Sequence, residues 1–254
     1  MSSEIDISRR RIVRATALTA LGSLPWGLLR SSATKLPFEG YFPSLRGGTA
    51  WLNSAALESN ALRGRVVLID FWTYSCINWR RSFPYVSAWA QKYRKHGLVV
   101  IGVHSPEFPF EADIDNVQWA VNAMRVDYAV AIDNDYAIWR AFNNQFWPAM
   151  YFTDVKGRIR HHQFGEGGYD QSEQVIQQLL GESGATGLDR GSVQVDASGP
   201  ELAADWPGLQ SDENYLGYER TQNFASRVET ALNKPRTYAA PSVLKLNHWG
   251  LSGE

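Results

Sequence analysis

Cysteine is almost absent from this chain: its 254 residues contain a single one, Cys76. One thiol excludes every disulfide within the chain and every metal site built from several thiolates. The five histidines, His96, His104, His161, His162 and His248, show no ligand spacing such as HExxH, and the adjacent pair His161 and His162 points to opposite faces of any strand that carries it. The residues therefore imply no metal and no cofactor. Charge of one sign is also lacking. With 25 basic and 26 acidic residues the formal charge is −1, which gives no electrostatic attraction to nucleic acid or to an acidic membrane. Long apolar runs are missing too. The most apolar N-terminal stretch, Ala15 to Leu29, includes Thr16, Thr19, Gly22, Ser23 and Pro25, and is too short and too polar for a membrane span of about 20 residues.

That stretch has a recognisable flank. Ser8-Arg9-Arg10-Arg11-Ile12-Val13-Arg14 precedes it, and Ser31, Ser32 and Ala33 follow. The pattern looks like a twin-arginine export signal over residues 1–33, with cleavage after Ala33 satisfying the small-x-small rule, and predicts a periplasmic or extracellular protein. A retained signal acting as a membrane tether, or a basic amphipathic arm on a cytosolic protein, are the competing readings.

The chemistry centres on VVLIDFWTYSCINWRRSFPYV, residues 66–86. Val66 to Trp72 is an apolar run of buried-strand type, and it passes through Thr73, Tyr74 and Ser75 into a helical pattern that begins near Cys76. A thiol at a helix N-terminus meets unpaired backbone N–H groups and the positive end of the macrodipole, and both favour thiolate. A dithiol site would carry its second cysteine three residues on, where this chain has Trp79.

Trp72-Thr73-Tyr74-Ser75-Cys76-Ile77-Asn78-Trp79 resembles the WTYSCINC-like active site of the thioredoxin superfamily, in particular the exported TlpA-like domains of DipZ-type cytochrome-biogenesis proteins, with Trp79 in place of the resolving cysteine. Trp51-Leu52-Asn53, LRGRVVLIDFW and Pro84, eight residues after the thiol, extend the resemblance over residues 41–182. It implies a thioredoxin-like α/β fold, a central mixed sheet flanked by helices with a TlpA-type helix-strand insertion. It implies Cys76 as the catalytic thiol, supported by the turn residues Trp72, Thr73, Tyr74, Ser75 and Asn78. It also implies a cis-proline facing the thiol, for which Pro148 in Phe146-Trp147-Pro148-Ala149 is the candidate, so that Trp79, Trp147 and Pro148 line a groove for an extended substrate. The bland reading of Pro148 is a proline opening an edge strand.

The periodicities predict strand 66–71, helix 77–96 ended by Gly97, strand 98–103, helix 114–124, strand 128–132, a short helix 136–142, strands 149–152 and 158–163, and helix 171–180. Five of the ten tryptophans (Trp72, Trp89, Trp119, Trp139, Trp147) fall in or beside these elements, where core packing explains them. Residues 34–40 form a short linker after the signal. Beyond Gly181, residues 183–210 are rich in Gly, Ser, Ala and Asp and predict a flexible linker. Residues 211–254 resemble the opening of the β-rich domain that follows the thioredoxin domain in DipZ-type proteins, a partial β-rich tail.

Three functions fit one thiol. Cys76 can act as a monothiol disulfide exchanger, with an exported protein or a small-molecule thiol or disulfide as partner and an external thiol, such as a membrane-bound reductant, for release. It can be a one-cysteine peroxidase, with Thr73 at the TxxC position and Arg80 or Arg81 as the positive neighbour. Or the domain can be a non-catalytic binding or assembly module in which Cys76 is incidental.

Overall fold

The computed structural model describes residues 35–210, 221–226 and 234–253; the export signal expected over residues 1–33 lies outside the described residues. The chain forms a seven-stranded sheet in the order β1 (Gly40–Tyr41), β7 (Arg158–Phe164), β6 (Ala149–Thr153), β3 (Val66–Trp72), β4 (Leu98–His104), β5 (Ala129–Ile132), β2 (Ala50–Leu52). β3, β4 and β5 run parallel, and the remaining neighbours pair antiparallel. This is the mixed central sheet of a thioredoxin-like fold. Among the described residues four α-helices flank it: α1 (Ile77–Tyr93), α2 (Ile114–Ala123), α3 (Ala137–Ala141) and α4 (Tyr169–Glu182).

Every residue of β3 is buried, which is why its sequence is a continuous apolar run instead of an alternation. Side chains still alternate between faces. Leu68 and Trp72 join Trp79, Trp89 and Tyr93 of α1 and Ile176 and Leu179 of α4 in one core, while Val67, Ile69 and Phe71 join Ile138 and Phe142 in a second core on the opposite face. Burying each such side chain stabilises the fold by about 1.5–3 kcal/mol. Gly97, at φ 99°, terminates the helical stretch after a 3-10 turn at Arg94–His96, a left-handed conformation that glycine adopts without a Cβ clash.

Two expectations need correction. Trp119 is 66% exposed, because α2 turns Val117, Ala120 and Val121 inward and leaves position 119 on the other side. Residues 183–210 carry no strand or α-helix, yet part of the segment is anchored along the domain. The N–H of Val193 donates to Glu173, Lys92 donates to the Gly191 carbonyl, and the Arg81 guanidinium donates to the Leu202 carbonyl beside a 3-10 turn at Gly199–Glu201. Ala185, Leu188 and Val193 add apolar contact with the first core. Among the described residues of 211–254, β-structure is limited to the bridges Phe224–Trp249 and Tyr238–Gly253, with the Phe224 and Trp249 rings 4.6 Å apart.

Candidate functional site

β3 delivers the chain to the C-terminal edge of the sheet, and a tight turn follows, closed by the Cys76 N–H donating to the Thr73 carbonyl at 3.2 Å. Cys76 is the N-cap of α1: its backbone is extended (φ −66°, ψ 115°), and its carbonyl accepts the first helical hydrogen bond, from Arg80 N–H at 3.0 Å. The side chain makes no capping bond, and the half-buried thiol packs in part against the first core. Sγ lies 3.9 Å from the Trp147 carbonyl, and the Trp147–Pro148 peptide bond is cis. The turn and the proline loop, 71 positions apart in sequence, thus meet at one sulfur atom.

Trp147 takes part through its backbone. Its indole points away from the thiol, donates to the Ser105 carbonyl at 2.9 Å and packs on Trp139 at 4.2 Å. Pro148 is anchored from behind, its carbonyl accepting from Gly165 N–H at 2.9 Å.

Trp79 does not line a groove. It is fully buried, stacked 4.3 Å from Trp72, and its Nε1–H donates to Asp70 Oδ2 at 3.0 Å. The reason is helical direction: from an N-cap at 76, the side chain three positions on swings beneath the helix toward β3. The resolving position is therefore interior in this chain, and Trp79 contributes packing and a buried donor instead of substrate contact.

Asp70 is the residue that sequence reasoning passed over. It is fully buried, accepts from Trp79 and, at 3.4 Å, from the Tyr128 hydroxyl, while Oδ1 has no polar partner among the described residues. Burial pushes its carboxyl up to about 7, against the opposing pull of the Trp79 and Tyr128 hydrogen bonds. A single acid inside VVLIDFW was the available signal. Opposite Asp70 in the ladder stands Gly102, where a Cβ would sit 2.8 Å from Trp72 Nε1 and 3.1 Å from the Tyr128 ring. Only glycine leaves room for those rings.

The remaining turn residues point in different directions. Thr73 is buried, with Oγ1 3.5 Å from Nε2 of His104, also buried, whose pKa is lowered to about 4 chiefly by that burial. Tyr74 lies parallel to the His104 ring at 5.8 Å and donates to the Phe110 carbonyl at 3.1 Å. Ser75 donates to the buried carboxylate of Glu111 at 2.5 Å. Asn78 serves through its carbonyl, which accepts from Ser82 Oγ. Arg80 and Arg81 project away from the thiol, toward Glu201 at 4.0 Å and Glu166 at 2.9 Å.

Comparison with known proteins gives the family. Residues 50–162 match the model of the AhpC/TSA family, and residues 211–254 match that of the thioredoxin like C-terminal domain. The thiol-disulfide oxidoreductase YkuV of Bacillus subtilis is 30% identical over 141 residues, covering 56% of this chain and 95% of the relative. The chain belongs to the thioredoxin superfamily. Protein DipZ of Mycobacterium tuberculosis is 45% identical over 154 residues, 59% of this chain, and this thioredoxin-superfamily chain spans only 22% of the DipZ length. A thioredoxin-like protein solved in solution in its oxidized form superposes with a TM-score of 0.52 at 30% identity, covering 56% of this chain and 96% of that one.

Proposed function

We propose that this chain is an exported monothiol thiol-disulfide exchanger acting through Cys76. The observation that carries the reading is the placement of Sγ at the cap of α1, half-buried, against the carbonyl that precedes cis-Pro148. A helix cap stabilises thiolate, and an extended backbone segment beside a loop edge can align a disulfide for attack. The names of the relatives, thiol-disulfide oxidoreductase among them, support the same chemistry.

The Cys76 thiolate attacks one sulfur of a substrate disulfide, a Cys76–substrate S–S bond forms, and the other substrate sulfur leaves as thiolate. An external thiolate, from a protein or a small molecule, then attacks the substrate sulfur of the mixed disulfide and regenerates Cys76 thiolate. The external thiol is oxidised into the new disulfide. With Trp79 buried on the acid, nothing at the resolving position can replace it.

A peroxidase role is supported less well. The Thr73 hydroxyl is buried against His104 and both nearby arginines are turned to other carboxylates, so neither provides a donor over the thiol. Export rests on the Ser8–Arg14 segment, outside the described residues.

The test is incubation of the full chain with an aromatic disulfide reagent at neutral pH, followed by intact mass. The wild type is expected to acquire one mixed disulfide, discharged by added thiol, and Cys76→Ser to acquire none while keeping its thermal midpoint. A native wild type that forms no adduct while an unfolded one does would sink the reading in favour of a binding module.

A further inference from the structure

The loop 105–112 touches both halves of the site. Its Ser105 carbonyl accepts from the Trp147 indole, and its Phe110 carbonyl accepts from Tyr74. Between them, Glu111 is fully buried although its hydrogen-bonding partners are neutral. Oε1 accepts from Ser75 Oγ at 2.5 Å, and Oε2 accepts from the backbone N–H groups of Glu107 at 2.6 Å and Phe108 at 2.9 Å. Such short charge-assisted bonds are strong, but a buried anion without a cation costs more desolvation than a neutral side chain in the same place. Stability alone therefore gives a weak reason for a glutamate here.

Geometry gives a better one. Glu111 holds Ser75, Ser75 precedes Cys76, the Cys76 sulfur rests on the Trp147 carbonyl, and the Trp147 indole returns to the same loop at Ser105. The contacts close a ring around the thiol. We propose that Glu111 is a positioning residue for Cys76: by tying Ser75 to the 105–112 loop it fixes the thiol against the Trp147 carbonyl, and its negative charge holds back thiolate formation. This goes beyond disulfide exchange, since it concerns the thiol whatever its partner.

Glu111 already reaches the groups beside the thiol. Burial first, and then the charges of Glu111 and Asp113, raise the Tyr74 hydroxyl, and Glu111 partly offsets the downward push of burial on His104. The other charged groups around the turn are Asp70 on β3 and Arg80 and Arg81 on α1, and both arginines face acids of their own.

The experiment is the pH profile of Cys76 alkylation by iodoacetamide on the full chain, read by intact mass, for wild type, Glu111→Gln, Ser75→Ala and Ser75→Thr. Glu111→Gln removes the charge and is expected to lower the midpoint by about half a pH unit, roughly tripling the thiolate fraction below it. Ser75→Ala keeps the charge but cuts the tie, and is expected to change the limiting rate above the midpoint by about threefold, the factor for one hydrogen bond of ordinary net strength. Ser75→Thr retains a hydroxyl and should restore the wild-type profile. If Glu111→Gln and Ser75→Ala both alkylate like wild type, however much stability they lose, Glu111 serves folding only and the proposal fails. A lowered midpoint in Glu111→Gln with an unchanged rate in Ser75→Ala would overturn the positioning role and leave charge alone. Should Glu111→Gln not fold, the contrast between the two Ser75 variants decides.

Discussion

Cys76 and Trp79 stand three residues apart at the start of one helix, yet they belong to different solvents. The sulfur sits at the cap, half-buried against the Trp147 carbonyl, while the indole lies in the dry interior, stacked on Trp72 and bonded to Asp70. In a dithiol site the two positions must exchange a covalent bond within one small volume. Here the inner position is given to packing and the outer one carries the sulfur. A thioredoxin-like fold can thus bury an indole three residues after the cap while the cap and the cis-proline loop still meet at Sγ.

The strongest way to break that contrast is to empty the interior side. Trp79→Ala removes a fully buried indole and the donor to Asp70, and is expected to destabilise the chain by about 3–5 kcal/mol in urea unfolding. Trp79→Cys leaves a similar cavity but puts a second thiol one helical turn from the first. Its oxidised form is expected to weigh two hydrogens less by intact mass, and its reduced form to show dithiol reductase activity toward a model disulfide. A Trp79→Cys chain that stays folded and remains fully alkylatable after oxidation would mean that the two positions no longer face each other.

The interior side can be sharpened with pH. Asp70 titrates near 7 in the folded chain against a normal value of 3.8, so the unfolded chain binds fewer protons between those values and stability falls as pH rises through that window, by about 4 kcal/mol in all. His104 works in the opposite direction. Its pKa is lowered from 6.5 to about 4, so the folded chain binds fewer protons than the unfolded one there, and stability rises with pH between 4 and 6.5. The two slopes oppose each other over the shared range. Relative to wild type, Asp70→Asn is expected to gain stability with increasing pH and His104→Gln to lose it, by chemical denaturation at pH 4.5, 5.5 and 6.5. Parallel profiles for Asp70→Asn and wild type would show that the acid is not desolvated as its burial implies.

Much of this architecture was legible beforehand, and the reasons differ by element. The unbroken run in β3 and the spacing of Phe83, Val86, Trp89, Ala90 and Tyr93 name a buried strand and a one-faced helix because period and burial are local properties. Cys76 and Pro148 were legible as a pair only through the family resemblance, since nothing in sequence spacing reports a contact across 71 positions. Trp79 was misplaced because residue type says that an indole is large and apolar, and only the path of α1 over β3 says which side of the helix it occupies. Glu111 left the weakest trace. Its partners are a hydroxyl and two backbone N–H groups, which any sequence offers, so its burial depends on the way the loop 105–112 folds back on the turn.

The smallest effect is expected on the outer side, at Trp147. Trp147→Phe keeps an aromatic ring against Trp139 and keeps the backbone carbonyl that meets Cys76, but removes the Nε1–H that the Ser105 carbonyl accepts. The loss is one part-buried hydrogen bond, about 1 kcal/mol, read as a lower urea midpoint with an unchanged m-value. The Cys76 alkylation rate is the sharper measurement, because a ring no longer tied to the Ser105 carbonyl lets the proline loop drift while α1 and its cap stay in place. A modest rise in the limiting rate, with no change in midpoint, would show that the loop restrains access to the sulfur without setting its charge. A shifted midpoint would instead mean that the Trp147 carbonyl dipole, 3.9 Å from Sγ, governs ionisation as well, and that the outer side is electrostatically coupled in the way the interior is coupled through Asp70.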